Sequence, residues 1–262
     1  MTVPDIALTR FSEPSAKPML VLGPSLGTSV TALWGGSAER LVHRFDVVGW
    51  DLPGHGASIP AAKSFDIAEL AGGVIAAVEC LLALSGRDRF FYAGVSVGGA
   101  VGLQLLLDSP ELVKVAVVMC TGAKIGEAHG WRDRASTVRQ AGTASMVAGS
   151  IERWFRPGLV ERRPREATSV LQSLRDTDDE SYALVCESLG GFDVRSRLAT
   201  INTPVHAVAG AHDAVTPVAC LTEIADGVRH GTLTVLDHVA HLAPLENPAE
   251  AARLIGIHCS NA

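Results

Sequence analysis

The sequence predicts a doubly wound α/β domain: a mostly parallel sheet with helices on both faces and one inserted helical cap. Three observations carry that expectation. Short apolar runs alternate with helical segments along most of the chain, strand signals stop at residue 121 and resume after residue 191, and Gly94-Val95-Ser96-Val97-Gly98 lies where an apolar run gives way to a helix. Repeated strand, helix, strand units need right-handed crossovers, so the strands they join lie parallel in one sheet.

The elements follow in order. After an N-terminal stretch compatible with a hairpin, Met19-Leu20-Val21-Leu22 reads as a buried strand ending at Gly23, and a helix is expected over Thr31 to Val42. Val47-Val48-Gly49-Trp50 is the next strand, followed by the turn-rich Asp51 to Ser58, with Asp66 as the N-cap of a long apolar helix. Phe90 to Val95 is a strand and Gly98 to Leu107 a helix; the β-branched run Val113 to Val118 lacks in/out alternation, which implies burial on both faces. Residues 121–191 read as helical segments carrying Trp131, Trp154 and Phe155, the expected cap between a core formed by residues 1–120 and 192–262. Strands resume at Val205 to Ala209 and Leu233 to Leu236, separated by a helix over Val218 to Val228, and a final helix follows Pro248.

Composition narrows the function classes. With 22 Lys and Arg against 28 Asp and Glu, the net charge of −6 leaves no basic field for a phosphate backbone, and nucleic acid is not expected as a partner. The arginines from Arg153 to Arg165 are interrupted by Pro157, Glu161, Pro164 and Glu166, the pattern of a solvated loop and helix start. Five widely spaced cysteines, Cys80, Cys120, Cys186, Cys220 and Cys259, read as buried free thiols, with no zinc spacing among them. The N-terminus lacks the features of a signal peptide, and Glu79 interrupts the apolar stretch Ala71 to Leu84, so no membrane span is expected and the protein reads as cytoplasmic.

The chemistry concentrates at the ends of the strands. In Gly94-Val95-Ser96-Val97-Gly98 the glycines allow a sharp strand-to-helix turn that exposes the Ser96 hydroxyl beside a helix N-terminus, where negative charge is favoured. A serine at its ordinary pKa needs a base, and the base needs a carboxylate to fix its tautomer. Asp213, in the loop after the Val205 strand, and His241, after the Leu233 strand, supply these in the order serine, acid, histidine. Asp213 could instead be a turn residue or helix cap, with His212 beside it as a second titratable group; His238 competes with His241 but stands closer to its strand, which favours His241. Two backbone donors are then needed for an oxyanion: the N–H of Val97 and one from Gly23-Pro24-Ser25-Leu26-Gly27-Thr28, assigned to Leu26 with Ser25 as the alternative. His55, within Gly54-His55-Gly56, reads as structural.

With these residues in place, the chain resembles the 3-oxoadipate enol-lactonases of the α/β-hydrolase superfamily over essentially its whole length. The likeness is most specific at Ser25-Leu26-Gly27-Thr28 with Trp34, at Thr121 to Gly126 leading to Trp131 and Arg134, and at Glu152-Arg153-Trp154-Phe155. It departs at Leu52-Pro53, where the family commonly has an arginine before Gly-His-Gly, and at Pro24. The resemblance implies an α/β-hydrolase fold and a Ser96, His241, Asp213 triad opening a small lactone in bacterial aromatic catabolism, with no metal or organic cofactor. A carboxylated substrate needs a donor or cation in an apolar pocket, for which Ser25, the Trp131 indole and Arg134 are the candidate contacts; Trp131 as cap packing and Arg134 as a solvated charge is the competing reading. The rival functions are a carboxylesterase or C–C bond hydrolase on the same scaffold, and a ligand-binding protein without catalysis.

Overall fold

The computed structural model describes residues 3–259. Seven strands form one sheet: β1 (Leu8–Arg10), β2 (Met19–Gly23), β3 (Asp46–Trp50), β4 (Phe90–Val95), β5 (Val113–Met119), β6 (Val205–Gly210) and β7 (Gly231–Leu236), in the order β1-β3-β2-β4-β5-β6-β7. Every neighbouring pair is parallel except β1 with β3. Strands β2, β3, β4 and β6 are buried along their whole length. Burial on both faces is what helices covering both sides of a parallel sheet produce, and it explains why these strands read as continuous apolar runs.

Helix α1 (Val30–Leu41) follows β2, α2 (Ile67–Ser85) follows β3 and α3 (Val97–Asp108) follows β4. The start of α2 is fixed by a reciprocal cap: Asp66 Oδ1 accepts the Glu69 N–H at 2.7 Å and Glu69 Oε2 accepts the Asp66 N–H at 3.1 Å. Between β5 and β6 the chain runs through α4 (Ala128–Ala141), α5 (Val147–Trp154), α6 (Leu159–Arg162), α7 (Pro164–Arg175) and α8 (Asp179–Gly191), with short 3-10 turns at Thr143–Met146 and Arg195–Thr200. The neck of this helical segment is closed by an antiparallel bridge between Lys124 and Asp193 and by the Val194 N–H donating to Ala123 O at 2.9 Å. Helix α9 (Val218–Gly227) joins β6 to β7, and the short α10 (Ala243–Glu246) and α11 (Pro248–His258) end the described chain. In the layers flanking the sheet, α1 packs against α11 and α2 against α3.

Three sequence expectations are corrected. Among the described residues the N-terminal segment forms no hairpin, because β2 is enclosed by β3 and β4; β1 instead pairs with the far side of β3, where Arg10 meets the buried Asp46 at 2.8 Å. Helix α2 is, by length and composition, apolar enough to cross a membrane, whereas the sequence reading had Glu79 interrupting it. Its stripe Ile67, Leu70, Ala71, Val74, Val78 and Leu82 is buried within the fold, and Glu79 lies on the outward side. Cys80 shares that outward side and is exposed, and Cys220 is half-buried; only Cys120, Cys186 and Cys259 are the buried thiols expected of all five.

Candidate active site

Ser96 stands between β4 and α3 with φ 55° and ψ −119°, a strained conformation for a residue with a side chain. Two glycines make the turn possible. A Cβ on Gly94 would lie 2.4 Å from Gly98 O, and one on Gly98 would lie 2.5 Å from Pro24 O, so any side chain at either position forces the turn apart. The turn is tied in place by the Ser96 N–H donating to Met119 O at 3.0 Å and by Thr121 Oγ1 donating to Ser96 O at 2.7 Å. The Gly98 N–H donates to Pro24 O at 2.9 Å and joins the turn to the loop after β2.

That loop has its own internal order. Thr28 Oγ1 accepts the Ser25 N–H at 3.1 Å and donates to Ser25 O at 2.8 Å. The Ser25 amide is therefore committed, while the amides of Leu26 and of Val97, at the first position of α3, have no partner among the described residues. Between the two sequence alternatives for a loop donor, only Leu26 keeps an available N–H. Gly27, at φ 80°, packs beneath Leu174, Tyr182 and Trp154, so the loop is roofed by side chains of the helical segment.

Asp213 and His241 meet across 28 residues of sequence: Nδ1 of His241 lies 2.8 Å from Oδ2 of Asp213. The other bonds to this carboxylate come from the Val215 and Thr216 amides on Oδ1, at 2.8 and 3.0 Å, and from the Thr216 hydroxyl on Oδ2 at 2.7 Å. Burial alone would raise the Asp213 pKa, but the His241 charge and the bonds from His241 and Thr216 outweigh it and hold the group below its ordinary range. An ionised Asp213 keeps the proton on Nδ1 of His241 and leaves Nε2 as the basic nitrogen. His238, the competitor of His241 in the sequence, and His212, the titratable neighbour of Asp213, are both exposed. Ser96 Oγ and His241 Nε2 do not form a hydrogen bond among the described residues; such contacts commonly tighten only when substrate is bound. Ser96 is 6% and His241 2% exposed, so the pair is closed over.

A second carboxylate supports the histidine loop and was missed in the sequence. Glu246, buried at the end of α10, accepts the Ala240 N–H on Oε1 at 2.8 Å and the Arg156 N–H on Oε2 at 3.2 Å. Because the His241 N–H itself donates to Trp154 O at 3.2 Å, the histidine loop and the end of α5 are held together at two points. Nothing in the sequence singles out Glu246, since its partners are backbone groups that carry no residue identity. Thr216 and Thr121 escaped notice for the same reason, as hydroxyls beside better candidates.

The expected substrate contacts divide. The Trp131 indole N–H donates to Ile125 O at 2.5 Å and so is not the free donor anticipated for it. Its ring instead lies under the Arg134 guanidinium, 4.9 Å from the ring centroid, and both side chains line a cavity of about 260 Å3 beside Ala214 and Val215. Ser25 is buried within its loop, and Trp34 donates its indole N–H to Gly23 O at 2.9 Å as a buried strut. His55 is buried, stacked on Tyr182 with Nδ1 2.8 Å from Pro53 O, and burial lowers its pKa to about 4, which keeps it neutral. No group of three or more His, Cys, Asp or Glu side chains among the described residues is arranged to hold a metal ion.

A strained serine at a strand-to-helix turn and a carboxylate-held histidine, each in a segment that follows the carboxyl end of a parallel strand, define a class. The chain belongs to the alpha/beta hydrolase family, whose model matches residues 20–254. Within that family its likeness is to the 3-oxoadipate enol-lactonases. It is 34% identical to 3-oxoadipate enol-lactonase 2 of Acinetobacter baylyi over 95% of this chain and 91% of that protein. It is 29% identical to 3-oxoadipate enol-lactonase 1 of the same organism over 91% and 87%. Among solved structures, the enol-lactonase from Burkholderia xenovorans LB400 superposes with a TM-score of 0.89 at 26% identity, covering 97% of this chain and 96% of that one.

Proposed function

We propose that the protein is a cytoplasmic serine hydrolase that opens 3-oxoadipate enol-lactone to 3-oxoadipate in the catabolism of aromatic compounds. The observation that carries the chemistry is the 2.8 Å bond from His241 Nδ1 to the buried Asp213, together with the strained turn that holds Ser96. The similarity to the Acinetobacter baylyi enol-lactonases supports the substrate. Residues 121–191 serve as the cap over a core of residues 1–120 and 192–262.

In this reading Nε2 of His241 takes the proton of Ser96 Oγ as the oxygen attacks the lactone carbonyl. The Leu26 and Val97 amides, which have no partners among the described residues, donate to the oxyanion, and Asp213 stabilises the imidazolium. Collapse of the tetrahedral intermediate breaks the ring C–O bond. The released enol takes a proton and becomes a ketone, which removes the leaving group and makes ring opening effectively irreversible. Water activated by His241 then hydrolyses the acyl-enzyme. Ser25, Trp131 and Arg134 border the substrate, with Arg134 as the cation for its carboxylate and Trp131 as the surface on which that cation rests.

The test is the loss of enol-lactone absorbance with purified wild type and Ser96→Ala, beside a panel of neutral p-nitrophenyl esters. Turnover of the lactone that vanishes in the variant is the expected result. A wild type that cleaves simple esters and leaves the lactone intact would replace the proposal with a carboxylesterase.

A further inference from the structure

Arg134, on α4, and Arg153, on α5, are both half-buried and line the same cavity. Neither forms an ion pair with a carboxylate among the described residues. The acidic residue on the cavity wall, Glu127, is occupied: both of its oxygens accept from Lys124 Nζ at 2.7 Å. Two like charges removed partway from water are unfavourable. Arg153 is eased by Glu152 and Tyr182 and by the bond from its Nη2 to Ser150 Oγ at 3.2 Å, but no free carboxylate reaches the cavity side of the pair, which suits that space to an anion.

The surroundings are fitted to the pair. Arg134 rests on the Trp131 ring. Arg153 Nη1 passes over Gly149, where a Cβ would lie 2.7 Å from it, so a helix-interior glycine leaves room for the guanidinium. The charges of both arginines act on the buried Tyr182, the residue that packs on Gly27 of the oxyanion loop. Across the cavity are Ala214 and Val215, and the Val215 N–H donates to Asp213 at 2.8 Å. Burial and the neighbouring Arg134 charge together lower the Arg153 pKa, as two cations sharing one space require.

We propose that Arg153 joins Arg134 in a two-arginine subsite that receives the substrate's carboxylate and selects anionic over neutral lactones. The proposal rests on the lactone-hydrolase reading and deepens it. Two planar guanidinium forks suit one carboxylate better than a single cation does, because each presents paired N–H donors to the two oxygens. Trp131 then acts through Arg134, as its floor.

The experiment compares 3-oxoadipate enol-lactone with the neutral lactone in which a methyl group replaces the carboxymethyl arm, and separately titrates adipate by tryptophan fluorescence. In Arg153→Gln the KM for the carboxylated lactone is expected to rise about tenfold or more, with kcat and the neutral lactone kinetics nearly unchanged. Adipate affinity should fall by about the same factor, Arg134→Gln should behave alike, and Arg153→Lys should recover part of the loss. Equal effects on both lactones, or adipate binding indifferent to Arg153, would overturn the subsite while leaving the hydrolase reading intact. If the wild type opens neither lactone yet binds adipate in an Arg153-dependent way, the subsite stands and the substrate assignment falls.

Discussion

Glu246 Oε1 accepts the N–H of Ala240 at 2.8 Å, one residue before His241, while its other oxygen accepts the Arg156 N–H beyond the end of α5. The carboxylate thus joins the loop that carries His241, the proposed base, to the helical segment that covers the loop after β2. Glu246→Ala leaves two amides without acceptors, which should cost roughly 2–4 kcal/mol of stability by urea unfolding. At temperatures where the variant is folded, kcat should fall while Glu246→Gln, which keeps one acceptor, retains most of it. Equal losses in both variants, Gln being close to Glu in size, would show that one retained acceptor is not enough and that the charge or both oxygens are needed.

Asp213 sets the tautomer of His241. Asp213→Asn presents an amide that can hold Nδ1 without its proton, which places the proton on Nε2 and should lower kcat by about 10⁴ with little change in KM. Thr216→Val, nearly isosteric, removes one bond to the same oxygen and should cost about 1 kcal/mol in stability and far less in rate. Steady-state kinetics and thermal unfolding of the two variants separate these effects.

The turn at Ser96 tolerates no added carbon. Gly98→Ala drives a methyl group against Pro24 O, 2.5 Å from the built Cβ, and should destabilise the protein by about 1–3 kcal/mol while misaligning the Val97 amide. The kinetic loss should exceed the stability loss. A variant with normal kcat would show that the loop after β2 moves without consequence.

Acid sensitivity should begin with buried histidines. His55 and His206 are each lowered to about 4 by burial, so between the ordinary value of 6.5 and about 4 only the unfolded chain takes up these protons. Their neutral burial therefore costs stability progressively as the pH falls through that window. Asp213, held below its ordinary 3.8, adds a stabilising contribution that is present above that value and lost as the pH drops through the lower folded one. His206→Gln should flatten the urea midpoint between pH 6.5 and 4, and an unchanged slope would contradict the assignment.

Much of the architecture was readable because burial on both faces writes itself into strands such as Leu20-Val21-Leu22 and Val115-Ala116-Val117 as unbroken apolar runs. Partner choice was not: β1 is three residues long, and nothing local says that it pairs with β3 rather than β2. Ser96 announced itself through glycines demanded by backbone contact. The sequence assigned the loop donor to Leu26 with Ser25 as the alternative, and what it could not show is that the Ser25 N–H is taken up by Thr28 Oγ1 three residues away, a bond without a composition signal. Trp131 misled for a related reason: an indole N–H looks available in a sequence until a carbonyl such as Ile125 O is found against it. Arg153 was hidden among the arginines that follow it, and only the cavity shared with Arg134 separates it from a solvated charge.

The central claim is that Ser96 Oγ becomes acylated by the lactone. Rapid acid quench of the enzyme with 3-oxoadipate enol-lactone, followed by peptide mass spectrometry, tests it directly. The account predicts an adduct with the mass of the whole lactone on the peptide containing Ser96, transient in the wild type and absent in Ser96→Ala. Lactone turnover that persists in Ser96→Ala, or an adduct on another residue, would contradict it.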